Sequence, residues 1–95
     1  MRTKAKRDVV EANLIRALEA CGIVVLRVSS PGAPDLLLYS ESARLTWRGR
    51  EHVYLPVEVK GPKGELTKQQ LVTRARMPFP TLTSVDDVLA LVEGF

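Results

Sequence analysis

Apolar residues recur with two different periods along this chain, and the switches between them divide it into elements. Val10, Leu14, Ala17, Leu18 and Cys21 fall at i, i+4, i+7, i+8 and i+11. That single stripe predicts a helix over residues 8–21, with Asp8 as N-cap and Gly22 as the stop. Residues 23–28 are continuous and β-branched, the pattern of a strand buried on both faces. Residues 29–34, Ser-Ser-Pro-Gly-Ala-Pro, allow only a turn or extended loop. Residues 36–39 read as a second strand. A polar stretch over 40–52 carries a turn at Arg48-Gly49. Val53, Leu55, Val57 and Val59 then alternate with Tyr54, Pro56, Glu58 and Lys60, a third strand of period two. Pro56 cannot donate to a ladder, so regular pairing is expected only after it. Residues 61–64 form a loop, 67–76 a helix ended by Met77-Pro78, 79–83 a short fourth strand, and 84–93 a last helix. Val85, Val88, Leu89 and Val92 share one side of that helix. The order αβββαβα predicts an α/β fold, a four-stranded mixed sheet flanked by helices.

Composition narrows the class. The 95 residues suit a single domain. Apolar runs such as residues 23–26 and 36–39 are far short of the about 20 residues that a membrane span needs. The basic start has no apolar stretch of signal-peptide type behind it. One cysteine, Cys21, excludes an internal disulfide, and one histidine, His52, leaves little for a His-rich metal site. An intracellular protein is expected, in the cytoplasm of a bacterial or phage-infected cell or in a nucleus, and not secreted. The net charge is +3, from 14 basic and 11 acidic residues. The basic residues cluster: Arg2, Lys4, Lys6 and Arg7 in an N-terminal arm over residues 1–7, then Arg44, Arg48 and Arg50, then Lys60, Lys63 and Lys68. Such clusters fit either solvated surface or the footprint of a polyanion such as DNA.

The chemistry concentrates at strand ends. Asp35 opens the second strand, and Glu58 and Lys60, two apart, leave one face of the third. A hairpin turning at Arg48-Gly49 places Asp35 opposite residues 60–62, and a bulge in the 40–44 region shifts it toward Glu58. Two carboxylates beside a lysine suit a hard divalent cation that polarises a phosphodiester. A Glu-x-Lys pair can equally be an ordinary ion pair across a half-exposed strand.

Gly32-Ala33-Pro34-Asp35, then Glu58-Val59-Lys60, then Gly64-Glu65-Leu66-Thr67-Lys68-Gln69-Gln70 together resemble the PD-(D/E)xK nuclease superfamily. More narrowly, they are similar to the virus-type replication-repair nuclease family, VRR-NUC. Glu11 matches that family's glutamate near the start of the first helix, and Thr83-Ser84-Val85-Asp86-Asp87 its closing strand-to-helix step. Met77-Pro78-Phe79-Pro80 departs from it, where a glycine-bearing turn is usual. The resemblance implies a restriction-endonuclease-like fold and a divalent-metal-dependent DNA endonuclease. It implies that Glu11, Asp35 and Glu58, with the backbone carbonyl of Val59, hold one or two magnesium or manganese ions. Lys60 would orient the attacking water, and Gln70 would position a phosphate or the water. Products would carry a 5′-phosphate and a 3′-hydroxyl. Branched DNA, with a Holliday junction foremost, would be the substrate, bound through Arg2, Lys4, Lys6, Arg7, Lys63 and Lys68.

Several of these residues have a second reading. Asp8-x-x-Glu11 and Thr67-x-x-Gln70 both have capping-box spacing. Asp35 after Pro34 suits turn chemistry. His52 is expected to be exposed, Cys21 to join the core, Gln69 to point away from the site, and Gly32 to supply backbone freedom. A basic module that binds nucleic acid without cutting it is the alternative function. A junction is cut on two strands, which calls for a homodimer through the hairpin carrying Leu45, Trp47 and Tyr54 or through the apolar side of the last helix ending at Phe95.

Overall fold

The computed structural model describes residues 2–30, 32–61 and 66–93, with side chains from residue 9 onward. Helix α1 runs Arg2–Ala20, strand β1 Val24–Arg27 and strand β2 Leu36–Tyr39. Strands β3, Leu45–Trp47, and β4, Arg50–His52, precede β5, Tyr54–Val59. Helix α2, Lys68–Arg76, strand β6, Thr81–Leu82, and helix α3, Val85–Glu93, complete the chain. The main sheet has four strands in the order β1-β2-β5-β6. β1, β2 and β5 pair antiparallel, and β6 lies parallel to β5. The expected four-stranded mixed sheet with three helices is therefore present, with β3 and β4 added as a separate two-stranded sheet.

α1 begins six residues before the expected Asp8 cap. Lys, Ala and Arg dominate those residues, and all are good helix formers with no breaker among them. The basic arm is thus helical in its backbone. At its other end α1 stops where expected: Gly22 has φ +82°, and the N–H groups of Gly22 and Ile23 donate to the carbonyls of Glu19 and Leu18 at 2.9 and 3.1 Å. That is the Schellman pattern. The Arg44 guanidinium adds a bond to the Cys21 carbonyl at 2.9 Å.

One face of the sheet is the core. Leu36, Leu38, Leu55, Val57 and Val59 meet Leu14 and Leu18 of α1, Val88, Leu91 and Val92 of α3, and Leu45 of β3, all buried. Each such side chain contributes about 1.5–3 kcal/mol relative to exposure. Cys21 is half-buried against this cluster. On α3, Leu91 takes the inward place expected of Val85 and Leu89, which are exposed. The other face is largely bare: Val24 is 51%, Leu26 54% and Tyr54 62% exposed. β1 is therefore not buried on both faces. It is an edge strand, and a continuous apolar run does not distinguish the two.

Two details of β5 follow from which side each N–H faces. Glu58 and Lys60 donate to Pro80 and Leu82 on the β6 side at 3.0 and 3.1 Å. The nitrogen of Pro56 faces that same side, before β6 begins, so pairing of β5 with β2 runs through Pro56 opposite Leu37 and does not wait for it. Register is the second detail. The β3–β4 hairpin keeps the register expected from a turn at Arg48-Gly49, both with left-handed φ, pairing Leu45 with His52. β2 and β5, however, pair Leu36 with Val57 and Tyr39 with Tyr54. A turn at residues 40–44 causes the shift: Ser40 is buried, accepts from the Arg44 N–H on its hydroxyl at 3.0 Å and from the Ala43 N–H on its carbonyl at 3.0 Å, and Ala43 takes φ +56°. The β2–β5 register, continued by one residue, puts Asp35 across from Glu58.

Candidate active site

The side chains expected to do chemistry meet where β2 begins and β5 ends. Glu58 is fully buried, on the sheet face opposite Val57 and Val59. Its Oε2 accepts from Lys60 Nζ at 3.2 Å and from Gln70 Nε2 at 2.5 Å. Its Oε1 is buried with no hydrogen-bond partner among the described residues. Asp35 stands beside it: its Oδ2 accepts from the Val59 N–H at 2.9 Å, replacing the ladder bond that β2, which starts at Leu36, is too short to make. Burial pushes the Glu58 carboxyl above the ordinary glutamate value, and the neighbouring Asp35 charge pushes it the same way. Lys60 and Gln70 oppose that shift without cancelling it.

Local sequence explains each placement. Pro34 is buried and leads directly into Asp35. Gly32 has φ +77°, and a Cβ there would lie 3.0 Å from Gln69 Cβ on α2, so this glycine serves both turn and close packing. Thr67 is the N-cap of α2 and forms a complete capping box with Gln70. The two expectations for Gln70 are not alternatives: its Oε1 accepts from the Thr67 N–H at 2.9 Å while its amide nitrogen reaches Glu58. Thr83-Ser84-Val85-Asp86-Asp87 is helix-start chemistry, with Asp87 Oδ2 accepting from the N–H groups of Thr83 and Ser84 at 2.7 and 3.2 Å.

Glu11 lines a cleft of about 450 Å³ together with Arg27, Ser29, Ser30, Asp35 and Gln70. Its Oε2 lies 3.6 Å from Arg27 Nη1. Because α1 starts at Arg2, Glu11 is mid-helix, and the capping-box reading with Asp8 falls away. Among the described residues, no group of three or more His, Cys, Asp or Glu side chains gathers closely enough to hold a metal ion. Hydrogen bonds and an ion pair bring Asp35, Glu58, Lys60 and Gln70 together, and Glu11 lines the cleft that Asp35 and Gln70 also line. Lys68 is exposed at the start of α2. Lys63 and the side chains of Arg2, Lys4, Lys6 and Arg7 lie outside the described residues, as does Phe95.

Several polar residues of the site were not anticipated, Ser29 and Ser30 of the cleft among them. Arg27, with a largely exposed side chain at the cleft rim, carries no motif; its only signal is that it closes the strand leading into Ser29-Ser30. Thr81 pairs with Glu58 across β5 and β6, and its Oγ1 is buried without a partner among the described residues. His52 departs from its expected exposure: it is half-buried, its ring 6.4 Å from Trp47, with Nε2 buried and unpartnered among the described residues. Trp47 carries the Arg48 guanidinium 4.5 Å from its ring centroid. Among the surfaces expected for a dimer, Leu45 and the inner side of α3 are consumed by the core.

No protein-family model, curated protein or solved structure gives a significant match to this chain. Among the described residues, no helix is long and apolar enough to cross a membrane.

Proposed function

We propose that this chain is a divalent-metal-dependent DNA endonuclease of PD-(D/E)xK type, resembling VRR-NUC domains, with a restriction-endonuclease-like fold. The observation that carries the reading is Glu58, a fully buried carboxylate with one oxygen held by Lys60 and Gln70 and the other unpartnered among the described residues. A carboxylate kept at such a desolvation cost, with an acidic neighbour, is poorly explained by stability and well explained by a cation.

The donor set suits magnesium or manganese. Asp35, Glu58 and the carbonyl of Val59 would hold the ion, with Glu11 across the cleft, and the bound ion supplies phosphoryl polarisation and a water of lowered pKa. Val59 turns its N–H toward Asp35; strand geometry turns its carbonyl to the same side. Lys60 holds a positive charge where phosphate negative charge builds and orients the attacking water. Arg27, Ser29 and Ser30 offer donors to the flanking phosphate. Hydrolysis leaves a 5′-phosphate and a 3′-hydroxyl. The substrate we favour is branched DNA such as a Holliday junction, with Lys68, Lys63, Arg2, Lys4, Lys6 and Arg7 on the backbone. Paired cuts ask for a two-fold homodimer, and the exposed apolar surface suited to it is the bare sheet face of Val24, Leu26 and Tyr54.

Labelled junction, duplex and single-stranded DNA, incubated with magnesium or with chelator, test the function. Magnesium-dependent nicking of the junction is expected. Binding without cutting in every metal tried would favour the non-catalytic basic module instead. Sedimentation at micromolar concentration tests the dimer, and a 10.5 kDa species that makes paired cuts would overturn it.

A further inference from the structure

We propose that Thr67 is a positioning residue that fixes Glu58 through Gln70. The inference rests on the nuclease reading only for what the positioning achieves; the linkage itself does not depend on it.

Three hydrogen bonds form a continuous bracket. Thr67 Oγ1 accepts from the Gln70 backbone N–H at 3.1 Å, Gln70 Oε1 accepts from the Thr67 N–H at 2.9 Å, and Gln70 Nε2 donates to Glu58 Oε2 at 2.5 Å. The middle bond makes the third directional. An amide whose oxygen is held by an N–H at the helix start presents its NH₂ group to the carboxylate; reversed, it would set oxygen against oxygen. A capping box accepts Glu or Gln at this position with equal ease. Here the contact with Glu58 selects the amide, because a second carboxylate would repel the first. Gln70 and Glu58 are buried, so the bond between them works away from competing water, while Thr67 is the exposed end of the bracket.

The consequence is a division of labour between the two oxygens of Glu58. Oε2 is taken by Lys60 and Gln70, and that leaves Oε1, unpartnered among the described residues, in a fixed direction. The hydroxyl of Thr67 holds the first turn of α2 in the geometry that makes this possible. Misplacement of a reacting group by about 1 Å can cost on the order of a hundredfold in rate. The loss of one remote hydroxyl is a milder disturbance, and about tenfold in kcat is the expected scale.

The chain has three side-chain amides, on Asn13, Gln69 and Gln70, so ¹H–¹⁵N correlation spectra resolve them readily. In the metal-free wild-type protein the Gln70 NH₂ pair should be displaced downfield and exchange slowly, while that of exposed Gln69 stays near the free-amide position. Thr67→Ala should move the Gln70 pair toward the Gln69 position, and Thr67→Ser should restore it. In cleavage assays Thr67→Ala should lose about tenfold in kcat with KM for DNA changed less than twofold, again restored by Thr67→Ser. A Gln70 pair unmoved by Thr67→Ala, or a serine variant no better than alanine, overturns the proposal. Where Thr67→Ala does not fold, the wild-type spectrum decides: a Gln70 pair at the free-amide position means that no bracket exists. An absence of cleavage by the wild-type protein would defeat the nuclease reading and leave the spectroscopic result standing.

Discussion

Val57 and Glu58 are neighbours on one strand, both fully buried, and they serve opposite ends. Val57 points into the face shared with Leu36, Leu38, Leu55 and Val59, whose side chains are all apolar and buried. Glu58 points to the opposite face, where Val24, Leu26 and Tyr54 stay exposed while this carboxylate is fully buried. The alternation of a strand allows this, since a step of one residue changes the face. One face is organised for stability. The other gives up apolar burial and keeps a carboxylate that costs stability, which is the signature of a functional surface.

Substitutions on the two faces should therefore fail in different ways. The largest effect is expected for Asp35→Asn and Lys60→Ala. Each should reduce metal-dependent cleavage by hundreds-fold or more while leaving the circular dichroism spectrum intact, since each removes a group acting on developing charge. Leu38→Ala, on the core face, should do the reverse. It should cost about 2–5 kcal/mol in denaturant unfolding, and the fraction still folded should cut at the wild-type rate. If Leu38→Ala abolished cutting in folded protein, the division between faces would be wrong.

Smaller effects sharpen the same contrast. Lys68→Ala should reduce the slope of log affinity against log salt by about 0.9 if that exposed lysine contacts one phosphate of a duplex. Leu26→Ala, half-exposed on the bare face, should shift monomer stability by no more than about 0.5 kcal/mol. A larger loss for Leu26→Ala that depends on protein concentration would place it in the contact between two copies.

Most elements of the main sheet and the helices were legible from residue periodicity, helped by Gly or Pro at Gly22, at residues 31–34 and at Pro78, whereas β3 and β4, in a polar stretch, were not. Gly22 ends α1 as its position suggested, and Thr67 starts α2 with a complete capping box. The site was legible in composition and less so in geometry. Asp35, Glu58 and Lys60 stood out by type and spacing, but the register that brings Asp35 opposite Glu58 depends on how residues 40–44 fold. That turn relies on the buried Ser40 and on a left-handed Ala43, a residue with no special preference for that conformation. Asp8 misled because its cap spacing was real, yet Lys, Ala and Arg before it carry the helix further. Arg27 was invisible because an arginine at the end of an apolar run has no motif; only the fold reveals that it faces Glu11. Residues 23–28 show the same limit, since edge and centre strands share one apolar pattern.

Glu58→Gln tests the central claim most directly, with cleavage and metal-free thermal stability measured on one preparation across pH. Glu58 has its carboxyl pushed above the ordinary value by burial and by Asp35. A raised acid stabilises the fold below its unfolded pKa, about 4.3, and that contribution is lost as pH rises through the folded value. Ionised Glu58 therefore burdens the fold at pH 8, and glutamine lifts the burden. The account predicts that Glu58→Gln melts higher than wild type at pH 8, that the gain disappears below about pH 4, and that magnesium-dependent cleavage is lost throughout. A variant that cuts normally, or that melts lower than wild type at pH 8, would contradict it.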